Sequence, residues 1–407
     1  IIKNYFSLIA ITVQSLIPNP SLFSPIKELS MVSLILIPSL KNVVNKRYKI
    51  NSYFLYAILF IILSIFGSLI SILISNGNVG IESLGVLTGT IPNSTIGTND
   101  FKIEYFLFFI RWISPILIAF AYYDSTIIEE NKDFIVKVIK FLGIFFAIFT
   151  IENLFLGTCI QNRCRSLFYS TNSLGFNSLC LILITYKLVG IRIFSKKYII
   201  IIISSFFSLI ASLSIANITS ALIFFIPFII RFRNNIKSKL KNYKNILFLP
   251  IFIPPLIKIT NLINNRGVFN LNSTLYNESL FLRIKIIGNS LNKSDGSLNI
   301  FGQKGLYTNI GRNYDTNIGF ISDNLLGSII GNFGIIILPI IIITIFIILY
   351  NYLLLFKSNM NIKKIDFGNT NLIIFCLFIS GIGANIFEIQ PASSILGCVL
   401  FNNIRNI

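Results

Sequence analysis

The chain has 407 residues, of which 54% are hydrophobic and only 12% charged, with a formal net charge of +19 and no histidine. That little charge excludes a soluble globular protein of this length, and the missing histidine excludes His-based zinc sites and a Ser-His-Asp triad. The apolar runs are continuous rather than alternating, which excludes a β-barrel.

The runs approach or exceed the roughly 20 residues a helix needs to cross a bilayer. In chain order the expected spans are 5–17, 26–40, 53–75, 105–122, 134–156, 172–189, 198–214, 217–230, 246–259, 323–351, 370–387 and 390–402. The expected fold class is therefore all-α. Residues 1–407 form a single polytopic integral membrane domain with about twelve transmembrane helices and one large extracytoplasmic loop, 260–322, between helices 9 and 10. The first run is followed by Pro18 and Pro20 and no small-residue cleavage site, so it reads as a span rather than a cleaved leader. Pro250, Pro254 and Pro255 are expected to kink the ninth helix before the loop, and Gly331 and Gly334 to permit close packing at the start of the tenth.

Alternate connections are basic. They carry Lys41, Lys46, Arg47 and Lys49, then Arg192, Lys196 and Lys197, then the run from Arg231 to Lys244, then Lys357, Lys363 and Lys364. Lysine and arginine mark the cytoplasmic side, so both termini are expected inside, and 76–104, 157–171 and 260–322 outside. The connection 123–133 departs from the pattern with Asp124, Glu129, Glu130 and Asp133, but acids weigh little in this rule, and Lys137 and Lys140 follow. The inner lysines also attract anionic head groups of membrane lipids. No soluble basic domain is present to hold nucleic acid.

The polar stretch 260–322 interrupts an otherwise apolar chain. It carries Arg266, Arg283 and Arg312, the glycines Gly302, Gly305, Gly311 and Gly319, and the acids Glu278, Asp295 and Asp315. With Arg163 and Arg165 of the earlier outer connection, these are arginines on the outside of a chain whose inner connections are mostly lysine. Topology does not require outer arginine. The planar guanidinium fork binds phosphate bidentately, which suggests a pocket for a phosphate-bearing substrate in the outer leaflet; a merely solvated loop is the alternative. Arg111 lies inside a span, about two turns from its outer end. It either joins the outer arginines around a phosphate, with Glu152 as its nearest acidic candidate, or snorkels to the interface. Asn217, Thr219 and Ser220 read as hydrogen bonders between packed helices.

Arg283, then Phe301-Gly302-Gln303-Lys304-Gly305, then Ser322-Asp323-Asn324-Leu325-Leu326, then Gly331-Asn332-Phe333-Gly334-Ile335-Ile336 resemble the end of the large outer loop in the O-antigen polymerase/ligase superfamily. Arg163, Arg165, Phe168 and Thr171-Asn172-Ser173-Leu174-Gly175 resemble that family's Arg…Phe…Asn-x-Gly segment entering the sixth helix. The hairpin near residues 213–221 sits where relatives often carry Thr-x-Ser-Arg, and this chain lacks that arginine. In topology the resemblance covers the chain; in motifs it covers about 160–335.

The resemblance implies a bacterial cytoplasmic (inner) membrane enzyme that performs inverting, metal-independent glycosyl transfer at the outer leaflet. It uses glycans carried on undecaprenyl pyrophosphate and needs no cofactor; a chain-length regulator protein is a candidate partner. Glycosyl transfer requires an activated leaving group, charge stabilisation on that group and a base for the acceptor hydroxyl. Arg283 is the leading candidate for the pyrophosphate, with Arg163, Arg165, Arg266, Arg111, Asn324, Gly302 and Gly305 as further substrate-binding candidates. Ligases of the superfamily carry a functional His-Asn, and here Asp323-Asn324 stands in that place, which argues for a polymerase. Asp323 is the candidate base; the alternative is a helix N-cap.

Cys180, Cys376 and Cys398 lie within expected helices and read as small apolar residues. Cys159 and Cys164 lie close together in a short outer connection, where the compartment is oxidising. They form either a disulfide, which would fix Arg163 and Arg165 in a tight loop, or two free thiols. Two further function classes stand beside the polymerase: an O-antigen ligase, and a multi-pass flippase or transporter of lipid-linked oligosaccharide. A transporter should show internal repeats and mid-membrane charges. No repeat is visible, and apart from Arg111 the spans are almost free of charge.

Overall fold

The computed structural model describes residues 33, 115, 117–119, 121–122, 128, 131–159, 164, 166, 171–240, 257, 287–288, 291, 298, 300, 325–357, 370–383, 396–397 and 399. Among these residues the architecture is helical, with no strand. Helix α1, Lys132–Leu156, places Asp133 in its first turn, where the helix dipole favours an acid. It stops at Gly157, whose left-handed φ of 67° closes the helix on Asn153 O. Ile135, Ile139, Leu142, Phe146 and Leu154 form its buried face. Its other face is exposed and carries large apolar side chains, Phe134, Phe141, Ile148 and Phe155, beside Lys137, Lys140 and Glu152.

Helix α2, Thr171–Val189, is enclosed on nearly all sides and runs on as a 3-10 turn over Gly190–Phe194. Helix α3, Ile199–Ala211, and helix α4, Ile215–Leu240, are joined by Ser212, Leu213 and Ser214, with Leu213 at φ 47°. The chain doubles back there: Phe206 near the end of α3 meets Phe225 well into α4 (ring centroids 6.1 Å), and Phe194, before α3, meets Phe228 at 5.3 Å. The span expected at 217–230 continues as helix to Leu240. The basic run is free of glycine and proline, and Arg and Lys are good helix formers, so the loss of apolar character does not end the helix. Lys132–Leu156 and Asn172–Phe194 are each long and apolar enough to cross a membrane.

The single span expected over 323–351 is instead two helices, α5, Leu325–Phe333, and α6, Leu338–Lys357, separated by Gly334 and a 3-10 turn over Ile335–Ile337. Gly334 adopts φ 76°, ψ −173°, a conformation open to glycine, while its N–H still reaches Ile330 O at 2.7 Å. Beyond the bend Ile336 N–H donates to Ile300 O at 3.4 Å. Pro339 falls in the first turn of α6, where no amide is missed. Helix α7, Thr370–Gly383, follows. Positions 115–122 and 396–399, within the expected fourth and last spans, are helical where described and press together, a Cβ on Gly397 falling 2.5 Å from Pro115 O.

Contacts along the helices fix their directions. Helix α3 packs on α1 and α2, α4 on α7 and α2, and α6 on α7. The end of α2 meets the start of α7 through Lys187 Nζ donating to Thr370 Oγ1 at 2.8 Å, and Tyr186 stacks edge-on against Phe224 (5.1 Å) and Phe228 (5.3 Å). Lys197 pairs with Asp133 at 3.8 Å, joining the starts of α1 and α3. This end is basic, carrying Lys132, Lys187, Arg192, Lys196 and Lys197. Lys197 titrates above the ordinary lysine range because of its hydrogen bond to Tyr198, the charge of that group and the Asp133 carboxylate.

Candidate functional site

The opposite end gathers small and polar residues from four elements. Asn217, only 1% exposed, stands at its centre. Its Nδ2 donates to Ser214 Oγ at 2.8 Å and to the Asn172 carbonyl at 3.4 Å, and its Oδ1 accepts from Ser380 Oγ. Ser212 Oγ donates to Leu209 O at 2.7 Å and accepts from Ser214 N–H at 3.3 Å, tying off the turn. One turn further along α4, Ser220 Oγ donates to Cys376 O. Ser212 and Ser214 are therefore satisfied within the turn, and Asn217 and Ser220 across helices, as burial in a low-dielectric environment demands.

The helices approach this closely because glycine leaves room. A Cβ on Gly175 would fall 2.8 Å from Ser212 Oγ and 2.9 Å from both Asn217 Nδ2 and Ser214 Cβ. A Cβ on Gly383 would fall 2.2 Å from Ala216 Cβ, and one on Gly381 would meet Leu325 Cδ2 at 3.0 Å. Leu325 opens α5, two residues after Asp323, so the start of α5 lies beside the end of α7, which also packs on the start of α4 at Ala216.

Cys159 and Cys164 are joined by a disulfide, with Cα atoms 4.4 Å apart. Cys164 is wholly buried among Ala147, Leu154, Phe207 and Ala211, and its N–H donates to Ala211 O at 3.1 Å. Ser166, at φ 53° and 8% exposed, donates from Oγ to Phe146 O at 3.4 Å. Phe146 lies about three turns, or about 15 Å, before the end of α1. The connection expected as an outer loop thus dips, at Cys164 and Ser166, into the seam between α1 and α3.

Of the residues singled out in the sequence, Arg111, Arg163, Arg165, Arg266, Arg283, Gly302, Gly305, Asp323 and Asn324 lie outside the described residues. Asn217 and Ser220 do bridge helices, whereas Thr219 is exposed, one residue round the helix from the packed face. Glu152 is exposed. Cys180 and Cys376 are buried free thiols in the core. Sequence reasoning did not single out Ser380, Gly381 and Gly383, although Ser-Gly-x-Gly inside an apolar run was the available signal. Among the described residues no group of three or more His, Cys, Asp or Glu is placed to hold a metal ion.

No family model matches the chain, and no match was found among curated proteins or solved structures.

Proposed function

We propose that this chain polymerises undecaprenyl-pyrophosphate-linked oligosaccharide repeat units in surface polysaccharide synthesis, as a bacterial cytoplasmic-membrane glycosyltransferase working at the outer leaflet. In this reading the chain crosses the membrane about twelve times, with 260–322 outside and both termini inside.

One observation carries the reading. The two stretches of sequence that resemble the superfamily are far apart in the chain, yet the described residues beside them reach the same end of the bundle: Cys164 through Ala211, Asn172 through Asn217 and Ser380, and Leu325 through Gly381. Three further features agree with it. The basic side chains of the described helices collect at the opposite end, as a cytoplasmic face would. A disulfide at the polar end suits an oxidising compartment. The exposed apolar faces of α1 and α6, including Phe141, Ile148, Ile343 and Phe346, suit lipid better than water.

In the proposed reaction the acceptor hydroxyl attacks the anomeric carbon of the donor glycan from the face opposite the lipid pyrophosphate. The glycosidic C–O bond forms as the bond to pyrophosphate breaks, and the hydroxyl proton passes to the Asp323 carboxylate. Arg283, with Arg163, Arg165 and Arg266, meets the charge growing on the leaving phosphate without a metal ion.

Deletion of the gene followed by gel analysis of surface glycan tests the proposal. Material carrying single repeats, restored to long chains by the intact gene, is the expected result. Long chains stranded on the lipid pyrophosphate would indicate a ligase, and repeat units trapped on the cytoplasmic side a flippase. Unchanged surface glycan would defeat all three.

A further inference from the structure

We propose that Leu298, Ile300 and Ile336 anchor the large polar connection to the membrane: at 298–300 it lies on the outer leaflet, with these side chains among the acyl chains. The inference rests on the reading above, in which the chain spans the membrane and 260–322 is outside.

Contacts along α6 set the level of this patch. Tyr352 lies against Phe375, near the start of α7 and the basic end, with ring centroids 4.5 Å apart. From Phe375 the helix α7 reaches Gly383, at the polar end, in about 12 Å, whereas from Tyr352 back to Leu338 the helix α6 covers about 21 Å. Leu325, which opens α5, touches Gly381, so the chain enters α6 from the polar end. The Gly334 bend and Ile336 therefore stand at the polar end of the bundle.

Leu298, Ile300 and Ile336 are large and aliphatic, yet they are 61%, 50% and 57% exposed. Backbone hydrogen bonds join them into one patch. Ile336 N–H donates to Ile300 O at 3.4 Å, and Ile300 N–H donates to Leu298 O at 3.1 Å. Both backbone groups of Ile300 are thus paired within the protein, as a segment resting against lipid requires.

The surroundings favour lipid as the occupant. Ile336, Pro339, Ile343 and Phe346 are all exposed and recur at helical spacing, so the patch heads an apolar stripe along α6. No charged residue lies in 298–300 or between Leu325 and Phe356, which leaves a polar partner surface nothing to pair with. Such a stripe is costly in water and at home among acyl chains. Anchored in this way, the polar connection meets a lipid-borne substrate at the leaflet surface.

The test uses the full chain in nanodiscs, with its free cysteines replaced by alanine. A nitroxide is attached in turn to Leu298→Cys, Ile300→Cys and Ile343→Cys, and its collisions with oxygen and with a water-soluble nickel chelate are compared. All three labels should favour oxygen severalfold. Replacing Leu298 by Ser should shift the label at 300 toward the chelate and leave the label at 343 where it was; an unmoved label at 300 overturns the part given to Leu298. Oxygen preference at 343 with chelate preference at 298 and 300 overturns the anchor and leaves the membrane reading standing. Chelate preference at 343 as well overturns that reading and the anchor with it. Labels at 298 and 300 shielded from both reagents would mean a protein cover, and overturn lipid as the occupant.

Discussion

The hydroxyl of Tyr352 in α6 donates to the carbonyl of Ile223 in α4 at 3.2 Å. Ile223 is four residues before Pro227, which lies inside α4 and has no N–H to offer that carbonyl. A proline that would leave a backbone acceptor without its helical partner in an apolar interior is thus compensated by a side chain from another helix. Tyr352 also lies against Phe375 of α7, with ring centroids 4.5 Å apart, so three helices meet at the point where α4 lost its own bond.

Tyr352→Phe should therefore destabilise the protein by about 1 kcal/mol, seen as a lower unfolding temperature in detergent or nanodiscs. In a Pro227→Ala background the helix recovers its amide and the same substitution should cost much less. Equal costs in the two backgrounds would dissociate Tyr352 from the proline.

The contact between Gly383 and Ala216 leaves no room for a methyl group. Gly383→Ala should destabilise by about 1–3 kcal/mol through overpacking, and Ala216→Gly should restore most of the loss. Thermal unfolding of the two single variants and the double variant decides it, and additive losses would mean that the helices do not meet at these residues.

Orientation is open to impermeant thiol labelling. A cysteine introduced at Asn292, in a background without other reactive thiols, should be labelled in intact spheroplasts. Labelling only after lysis would put 260–322 in the cytoplasm and end the outer-leaflet proposal.

The proposed chemistry makes two substitutions informative. Arg283→Lys keeps the charge and loses the fork, and should still impair polymer formation; Arg283→Ala should remove about 2–4 kcal/mol of transition-state stabilisation. Asp323→Asn keeps most of a helix cap and abolishes a base. Polymer of normal length and amount from Arg283→Ala, at normal protein level, would dismiss Arg283. Near-normal polymerisation by Asp323→Asn would leave that residue a structural role only.

Much of the helical framework is legible in the sequence because hydropathy and capping are local. The runs at 134–156, 172–189 and 370–387 correspond to α1, α2 and α7, and Gly157 ends α1 as a glycine after an apolar run should. Hydropathy does not report a bend. The run 323–351 is largely apolar after its first two residues, and Gly334 could have continued the helix; its positive φ goes with the seating of Ile336 against Ile300, from a separate part of the chain. Nor does hydropathy say how far a helix outlasts its membrane span, as α4 does to Leu240.

The polar end shows the same division. Sequence alone marks Asn217 and Ser220 as hydrogen bonders, because an amide or hydroxyl in an apolar run must find a partner. Which partner it finds depends on helices that are distant in the chain: Ser380 is 163 residues from Asn217, and Cys376 is 156 from Ser220. Likewise the spacing of Cys159 and Cys164 allows a bond, while the burial of Cys164 between α1 and α3 is a property of the packed bundle. Composition and periodicity act through neighbours a few residues apart, so they determine that this chain is helical and apolar. The pairing of small residues across helices, which brings Asn172, Asn217, Ser380 and Leu325 to one end, arises only when the helices close on one another.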